Sequence, residues 1–291
     1  MVKILITGGL GFIGSNLIKE LLKNINNQIF IVDNKKNGIL KFPNKMQIRV
    51  FYPDLNYFIK DEIVVDKIYH LGIVSSSPKY KENPMLVSET TNDMMLLLEY
   101  AKKTDASLVL ISSSSLYNGH KPPHKENMEI KVTDYYTEAR YFCERMCKLY
   151  NTLYGVKIMT ARLFSVYGKG DICKGEYANV ITQFDKQVQE CCSPIIYGDG
   201  KQTRDFINVK EVVRGLLKVM EYCEKTHSYE VFNIGTGVSH SFNEMGNAII
   251  KKYKRNMKLY HIDNPIKKNY VKHTRADMTK SFHNLGFIGR Y

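Results

Sequence analysis

The sequence predicts an α/β protein: a doubly wound parallel sheet with helices on both faces, joined to a smaller interleaved α/β cap. Three observations carry this. Strand and helix patterns alternate from residue 2 to about residue 166, and a glycine turn links the first strand to the first helix. After about residue 166, shorter elements separated by glycine turns replace that alternation. The 291 residues suffice for one large domain or two closely joined ones, and 44 % apolar residues exclude a disordered chain.

The elements follow in order. "VKILITGG" is an apolar run ending in glycine, and "FIGSNLIKELLKN" puts Ile13, Leu17, Leu21 and Leu22 on one side of a helix. "QIFIVDN" reads as a buried strand ending in a carboxylate, with "MQIRVFYPDL" and "DKIYHLG" as the next two strands. "MMLLLEYAKK" is a helix, "SLVLISSSS" a strand, and "YYTEARYFCERMCKLYNTLYG" a long helix closing at Gly155. "KIMTARLFSVYG" reads as one further strand. "YGKGDICKGEY" and "YGDGKQTRDF" mark the cap, while "VKEVVRGLLKVMEY" and "YEVFNIGTG" return to the sheet. The expected division is 1–165 with 205–236 for the sheet domain, and 166–204 with 237–291 for the cap.

Composition narrows the class. Lys plus Arg number 42 against 29 Asp plus Glu, a formal charge of +13. The lysines are scattered in twos, without a long basic tract or interleaved aromatics. A solvated basic surface that steers an anionic nucleotide is expected, and no nucleic-acid partner. No apolar run reaches the ~18 residues of a membrane span, and the glycines in "MVKILITGGLGFIG" suit a strand and turn better than a signal peptide. A cytoplasmic protein with no membrane partner is expected. Cys143, Cys147, Cys173, Cys191, Cys192 and Cys223 form no C-x-x-C, and no histidine lies at zinc-finger spacing. Reduced structural thiols and no metal follow.

"ITGGLGFIGSNL" sets Gly8, Gly11 and Gly14 at G-x-x-G-x-x-G spacing between a strand and an amphipathic helix. Small residues let the backbone turn tightly and approach a pyrophosphate, whose charge the helix's free amides then bind. Asp33 ends the second strand. A carboxylate there accepts from adenosine ribose hydroxyls and repels a 2′-phosphate, so the cofactor expected is NAD. Lys35 and Lys36 lie close by. Asp54 in "YPDL" is either an adenine acceptor or an ordinary strand-end aspartate.

"LVLISSSSLYNG" ends a strand in four serines, at the carboxyl edge where such sheets bind ligands. Twenty-three residues beyond Ser113 comes Tyr136, then Arg140 one helical turn later. Positions i and i+4 share a helix face, ~6 Å apart. A cation so near favours phenolate, and a phenolate beside a sugar hydroxyl is a competent general base, with a serine sharing the hydrogen bond. The other reading of the pair is that Tyr136 packs and Arg140 pairs with Glu144.

The set "TGGLGFIG", "SSSSLY", "YTEAR", "ARLFSVYG" and "YGDGKQTRDFINV" resembles the extended short-chain dehydrogenase/reductases. Within them it is most similar to the NAD-dependent nucleotide-sugar epimerases of the UDP-glucose 4-epimerase type, over residues 2 to about 288. The resemblance implies a Rossmann domain and a homodimer, with Leu96, Leu97, Phe142 and Met146 as either its surface or core. It implies that Ser113, Tyr136 and Arg140 are catalytic, Arg140 standing where the family has lysine; arginine keeps the charge but is aimed differently. It adds Phe12, Ile13, Asn34, Leu55, Leu71, Tyr136 and Arg140 to the cofactor set, Arg140 at the nicotinamide ribose, and Ser75 and Ser114 to the substrate set. Tyr136 would remove the proton of the sugar's 4-hydroxyl as hydride leaves C4, and the 4-ketose would turn over before hydride returns to its other face. The family's 4,6-dehydratases carry Asp-Glu after the Ser/Thr; Ser114 and Ser115 stand there, which disfavours dehydration.

In the cap the resemblance makes Tyr197 a uracil-stacking residue, Arg204 a diphosphate ligand and Asn179 a substrate ligand. The other reading of Arg204 is a salt bridge to Asp205. Ser165 replaces the family's asparagine, Lys267 or Lys268 stands near its second phosphate-binding arginine, and Thr274 stands where a small residue tolerates an N-acetyl group at C2. The sequence ends soon after "NLGFIG", short of the family's final helix. The function expected is inversion at C4 of a UDP-hexose. The alternatives are another nucleotide-sugar epimerase or dehydrogenase, such as one acting on a uronate, or a binding protein without turnover.

Overall fold

The computed structural model describes residues 1–35, 48–264 and 271–290. Its first half runs β1 (Val2–Thr7), α1 (Phe12–Leu21), β2 (Asn27–Val32), β3 (Ile48–Tyr52), α2 (Leu55–Lys60), β4 (Lys67–His70), α3 (Ser77–Glu82), α4 (Leu86–Thr104), β5 (Ser107–Ser113), α5 (Tyr135–Tyr154) and β6 (Ile158–Leu163). The second half runs β7 (Ser165–Tyr167), α6 (Val180–Gln189), β8 (Ile195–Tyr197), β9 (Thr203–Arg204), β10 (Phe206–Asn208), α7 (Val209–Lys225), β11 (Glu230–Ile234), β12 (His240–Ser241), α8 (Phe242–Lys252), β13 (Tyr260–Ile262) and α9 (Thr279–Leu285).

Seven strands form one sheet in the order β11-β6-β5-β4-β1-β2-β3. Every pairing in it is parallel. Burial on both faces explains why β2 and β6 read as continuous rather than alternating runs. Leu17, Ile18, Val212 and Leu216 of α1 and α7 cover one face. Phe58, Leu97, Leu98 and Cys147 of α2, α4 and α5 cover the other. Strand order reverses between β1 and β4, and a ligand crevice opens at the carboxyl ends beside such a point.

The structure refines several expectations. "KIMTARLFSVYG" is two strands: the chain leaves the main sheet at Phe164, and β7 pairs with β10 in a separate two-stranded sheet whose Val166 and Ile207 pack on the main core. The pairs β8–β13 and β9–β12 are two further small sheets, and Phe184, Val188, Ile249 and Ile250 form a separate core. The last segment is not wholly cap: α9 packs on β11 and α7. Leu97 is fully buried, and Leu96, Phe142 and Met146 are partly buried against the same core. Among the described residues no helix is long and apolar enough to cross a membrane, and no cluster suits a metal ion. All six cysteines are free.

Candidate active site

The glycine turn closes by steric need. A Cβ on Gly14 would lie 2.3 Å from the Gly8 carbonyl oxygen, and one on Gly8 would lie 2.8 Å from the Leu71 carbonyl. Gly8 also has φ +65°, where side chains are strained. No side chain caps the N-terminus of α1, so its first-turn amides remain for a ligand. Gly8, Gly11, Phe12, Ile13 and Gly14 line a cavity of about 600 Å³ at the carboxyl edge of the sheet.

Asp33, Asn34, Asp54, Leu55 and Leu71 line the same cavity. Asp33 is held by the amides of Leu10 at 2.9 Å and Lys35 at 2.8 Å, which aim its carboxylate and leave lone pairs for further donors. Asp54 caps α2, accepting from the Asn56 and Tyr57 amides at 2.9 and 3.2 Å. The strand-end reading of Asp54 thus holds in part, because it is a helix cap as well as a cavity wall. Asp93 of α4, which sequence reasoning missed, is a third carboxylate here. Burial, then Glu89 and Asp54, push its carboxyl up to about 6. A carboxyl raised on folding stabilises the fold below its unfolded value of 3.8, and that contribution is lost as pH rises through about 6. Asp93→Asn is therefore expected to stabilise the protein by about 1 kcal/mol at pH 8, a figure reduced for solvent screening. At pH 4 it should change little. Urea denaturation at the two pH values checks this.

Tyr136 stands in the first turn of α5, fixed by a capping box. The Asp134 carboxylate accepts from the Thr137 amide at 2.8 Å, and Thr137 Oγ1 accepts from the Asp134 amide at 3.0 Å. Ser77 of α3 donates to the same carboxylate at 2.6 Å. The Tyr136 ring packs edge-on against Tyr80, with centroids 5.6 Å apart. Arg140 lies across the ring, its guanidinium carbon 5.2 Å from the centroid. Arg140 does not pair with Glu144. Glu144 takes Arg162 instead, at 3.0 and 2.6 Å in a buried bidentate pair. The Arg140 fork donates to the Ile111 carbonyl at 2.7 Å and to those of Ile73 and Val74 at 3.4 and 3.3 Å. The cation thus ties the end of β5 to the loop after β4.

Ser113, Ser114, Tyr136 and Arg140 all line the cavity. Ser113 Oγ accepts from the Ser115 amide at 3.1 Å. Around this end, several buried polar atoms have no protein partner: His70 Nε2, Ser76 Oγ, Ser112 Oγ and Arg140 Nε. Their residues also line the cavity. Buried polar atoms are normally satisfied, so their gathering here marks a place shaped for a polar ligand. His70 is kept neutral, pushed down to about 3 by burial and then by Arg140. Its Nδ1 lies 2.7 Å from Thr7 Oγ1. A histidine ending a strand at the sheet's reversal point was a readable signal.

At the cap side Ser75, Asn179, Arg204 and Thr274 line the cavity. Asn179 donates to Ser165 Oγ at 3.0 Å and to the Val166 carbonyl at 3.1 Å, so Ser165 serves to orient Asn179. Arg204 donates to the carbonyls of Thr203 at 2.9 Å and Val271 at 2.6 Å. Asp205 does not pair with it. The Asp205 carboxylate accepts from the amides of Thr236, Gly237 and Ala276 at 2.8, 2.9 and 3.0 Å. Thr274 Oγ1 accepts from the Asp205 amide at 3.3 Å. Tyr197 is not among the lining residues; it stands 47 % exposed on β8. Lys267 and Lys268 lie outside the described residues.

Residues 4–235 match the NAD dependent epimerase/dehydratase family. The chain belongs to that family. This epimerase/dehydratase chain is 33 % identical over 258 residues to the Methanocaldococcus jannaschii protein named "Putative UDP-glucose 4-epimerase", covering 84 % of this chain and 81 % of that one. It is 28 % identical over 299 residues to UDP-glucuronic acid decarboxylase 6 of Arabidopsis thaliana, covering 98 % and 84 % of the two chains. Its fold superposes with a TM-score of 0.91 on the UDP-N-acetylglucosamine 4-epimerase of Methanobrevibacter ruminantium M1 in complex with UDP-N-acetylmuramic acid. That match has 26 % identity and covers 99 % and 93 % of the chains. The cofactor of this family is NAD, and the closed glycine turn, uncapped α1 and buried Asp33 of this member fit it. The epimerase/dehydratase fold is that of the extended short-chain dehydrogenase/reductases, as its motifs implied.

Proposed function

We propose that this enzyme inverts C4 of a UDP-hexose, interconverting UDP-glucose and UDP-galactose, through a transient 4-keto sugar. One observation carries the reading: Tyr136, Arg140 and Ser113 line the same cavity as the glycine turn. Bound NAD supplies reversible hydride chemistry at C4. Tyr136 takes the proton of the 4-hydroxyl and returns it after the sugar has turned over. Arg140 keeps a fixed positive charge across the face of the Tyr136 ring, where it counters negative charge developing in the transition state. Ser113 and Ser114 orient the reacting hydroxyl, and Arg204 meets the diphosphate, which guanidinium suits by bidentate donation. Thr274, a small residue, leaves room for N-acetylated hexoses.

The purified protein should convert UDP-galactose to UDP-glucose without net NADH. No inversion of any of the four common UDP-hexoses would sink the proposal. A UDP-uronate substrate is the second reading, favoured by the similarity to UDP-glucuronic acid decarboxylase 6 of Arabidopsis thaliana. Including UDP-glucuronate in the same screen separates the two.

A further inference from the structure

The turn Asp171–Tyr177, a 3-10 segment of the cap, packs against the start of α1. Asn16 of α1 donates to the Lys169 carbonyl at 2.9 Å, and Gly170 sits beside the Phe12 ring. From this turn Lys174 reaches toward the glycine motif, its Nζ 5.1 Å from the Phe12 ring centroid. Lys174 lines the cavity together with Gly11, Phe12 and Ile13. It is aimed by Asp171, a fully buried carboxylate 2.7 Å from its Nζ. The contact is an ion pair without hydrogen-bond alignment, and an ammonium carries three donors, so donors remain for a ligand.

The other oxygen of Asp171 faces the substrate side. It accepts from the Asn179 amide at 2.8 Å and from Thr182 Oγ1 at 2.7 Å. One buried carboxylate thus holds both a cation over the phosphate turn and the backbone of Asn179, which also lines the cavity.

We propose that Lys174 is a further cofactor-binding residue, a cap-borne cation that contacts the pyrophosphate of NAD over the N-terminus of α1 and is positioned there by Asp171. The helix amides approach the pyrophosphate from the sheet domain and Lys174 approaches from the cap. Cofactor binding then holds the cap turn down, and through Asp171 it steadies Asn179. This explains why a lysine whose side chain is only 25 % exposed is paired with a fully buried carboxylate on a cap turn. It also gives the dinucleotide a cation that the glycine motif itself lacks.

The test is NAD titration of the full-length chain by calorimetry at low and high salt. Lys174→Met is expected to weaken NAD about tenfold, the loss of one charge-assisted hydrogen bond, and to flatten the salt dependence. Lys174→Arg should restore most of the affinity. ADP, which keeps the diphosphate, should lose affinity with NAD, whereas adenosine should not. Lys174→Met leaves Asp171 buried without its cation, so Asp171→Asn/Lys174→Met is the companion variant. It removes both charges, keeps an acceptor for Asn179 and should show the same NAD and ADP loss. Unchanged NAD affinity and salt slope in the companion variant would overturn the proposal. So would a loss confined to UDP, which would assign Lys174 to the diphosphate of the nucleotide sugar instead.

Discussion

Tyr136→Phe is expected to cut turnover by about 10²–10⁴-fold, the range for a positioned general base, while NAD affinity and folding change little. The ring stays, and with it the edge contact to Tyr80 and the Arg140 guanidinium across its face. Among the described residues no protein group bonds the hydroxyl, so its removal orphans no partner. The capping box that sets the start of α5 uses Asp134 and Thr137 and is untouched. Steady-state kinetics with saturating NAD, alongside urea denaturation, check the split. Surviving activity would mean that another group moves the proton.

Arg140 carries the second large effect, and its two roles can be separated. As a tie it satisfies the Ile111 carbonyl at 2.7 Å and, less directly, those of Ile73 and Val74. Arg140→Met leaves these acceptors unsatisfied and is expected to lower stability by about 1–3 kcal/mol. As a charge across the Tyr136 ring it is expected to counter negative charge developing in the transition state, and its loss should lower kcat a further ~10²-fold, the scale of one preorganised electrostatic contact. Arg140→Lys keeps the charge but loses the planar fork. It should retain most of the turnover while losing part of the stability. A stable, inactive Arg140→Lys or a fully active Arg140→Met would contradict this division.

The sheet domain was legible because its signals are local. The apolar run, the glycines and Asp33 fall within the first 33 residues, and Gly8 and Gly14 are required by backbone geometry at their own positions. The long helix was readable at its C-terminal end, from Gly155 at φ +68°, while the capping box at Asp134 emerged only in the structure. The site's wiring was not readable. Arg140 finds its acceptors 29, 67 and 66 residues away, and they are carbonyls, which no side-chain pattern announces. The local alternative, Glu144, was diverted by Arg162 of β6. The break at Phe164 was hidden because apolar residues continue across it; only the pairing partner changes, from β11 to β10. Asp93 looked like one more polar helix residue until α4 was laid beside Asp54. Tyr197 was assigned by its neighbours in sequence, yet its side chain stands outside the cavity lining.

The most direct measurement follows the hydrogen at C4. UDP-galactose deuterated at C4 should yield UDP-glucose with the deuterium still at C4 and with no NADH accumulating in solution. Inversion accompanied by exchange of that deuterium with water would contradict a 4-keto route, and the absence of inversion would contradict the proposed reaction itself.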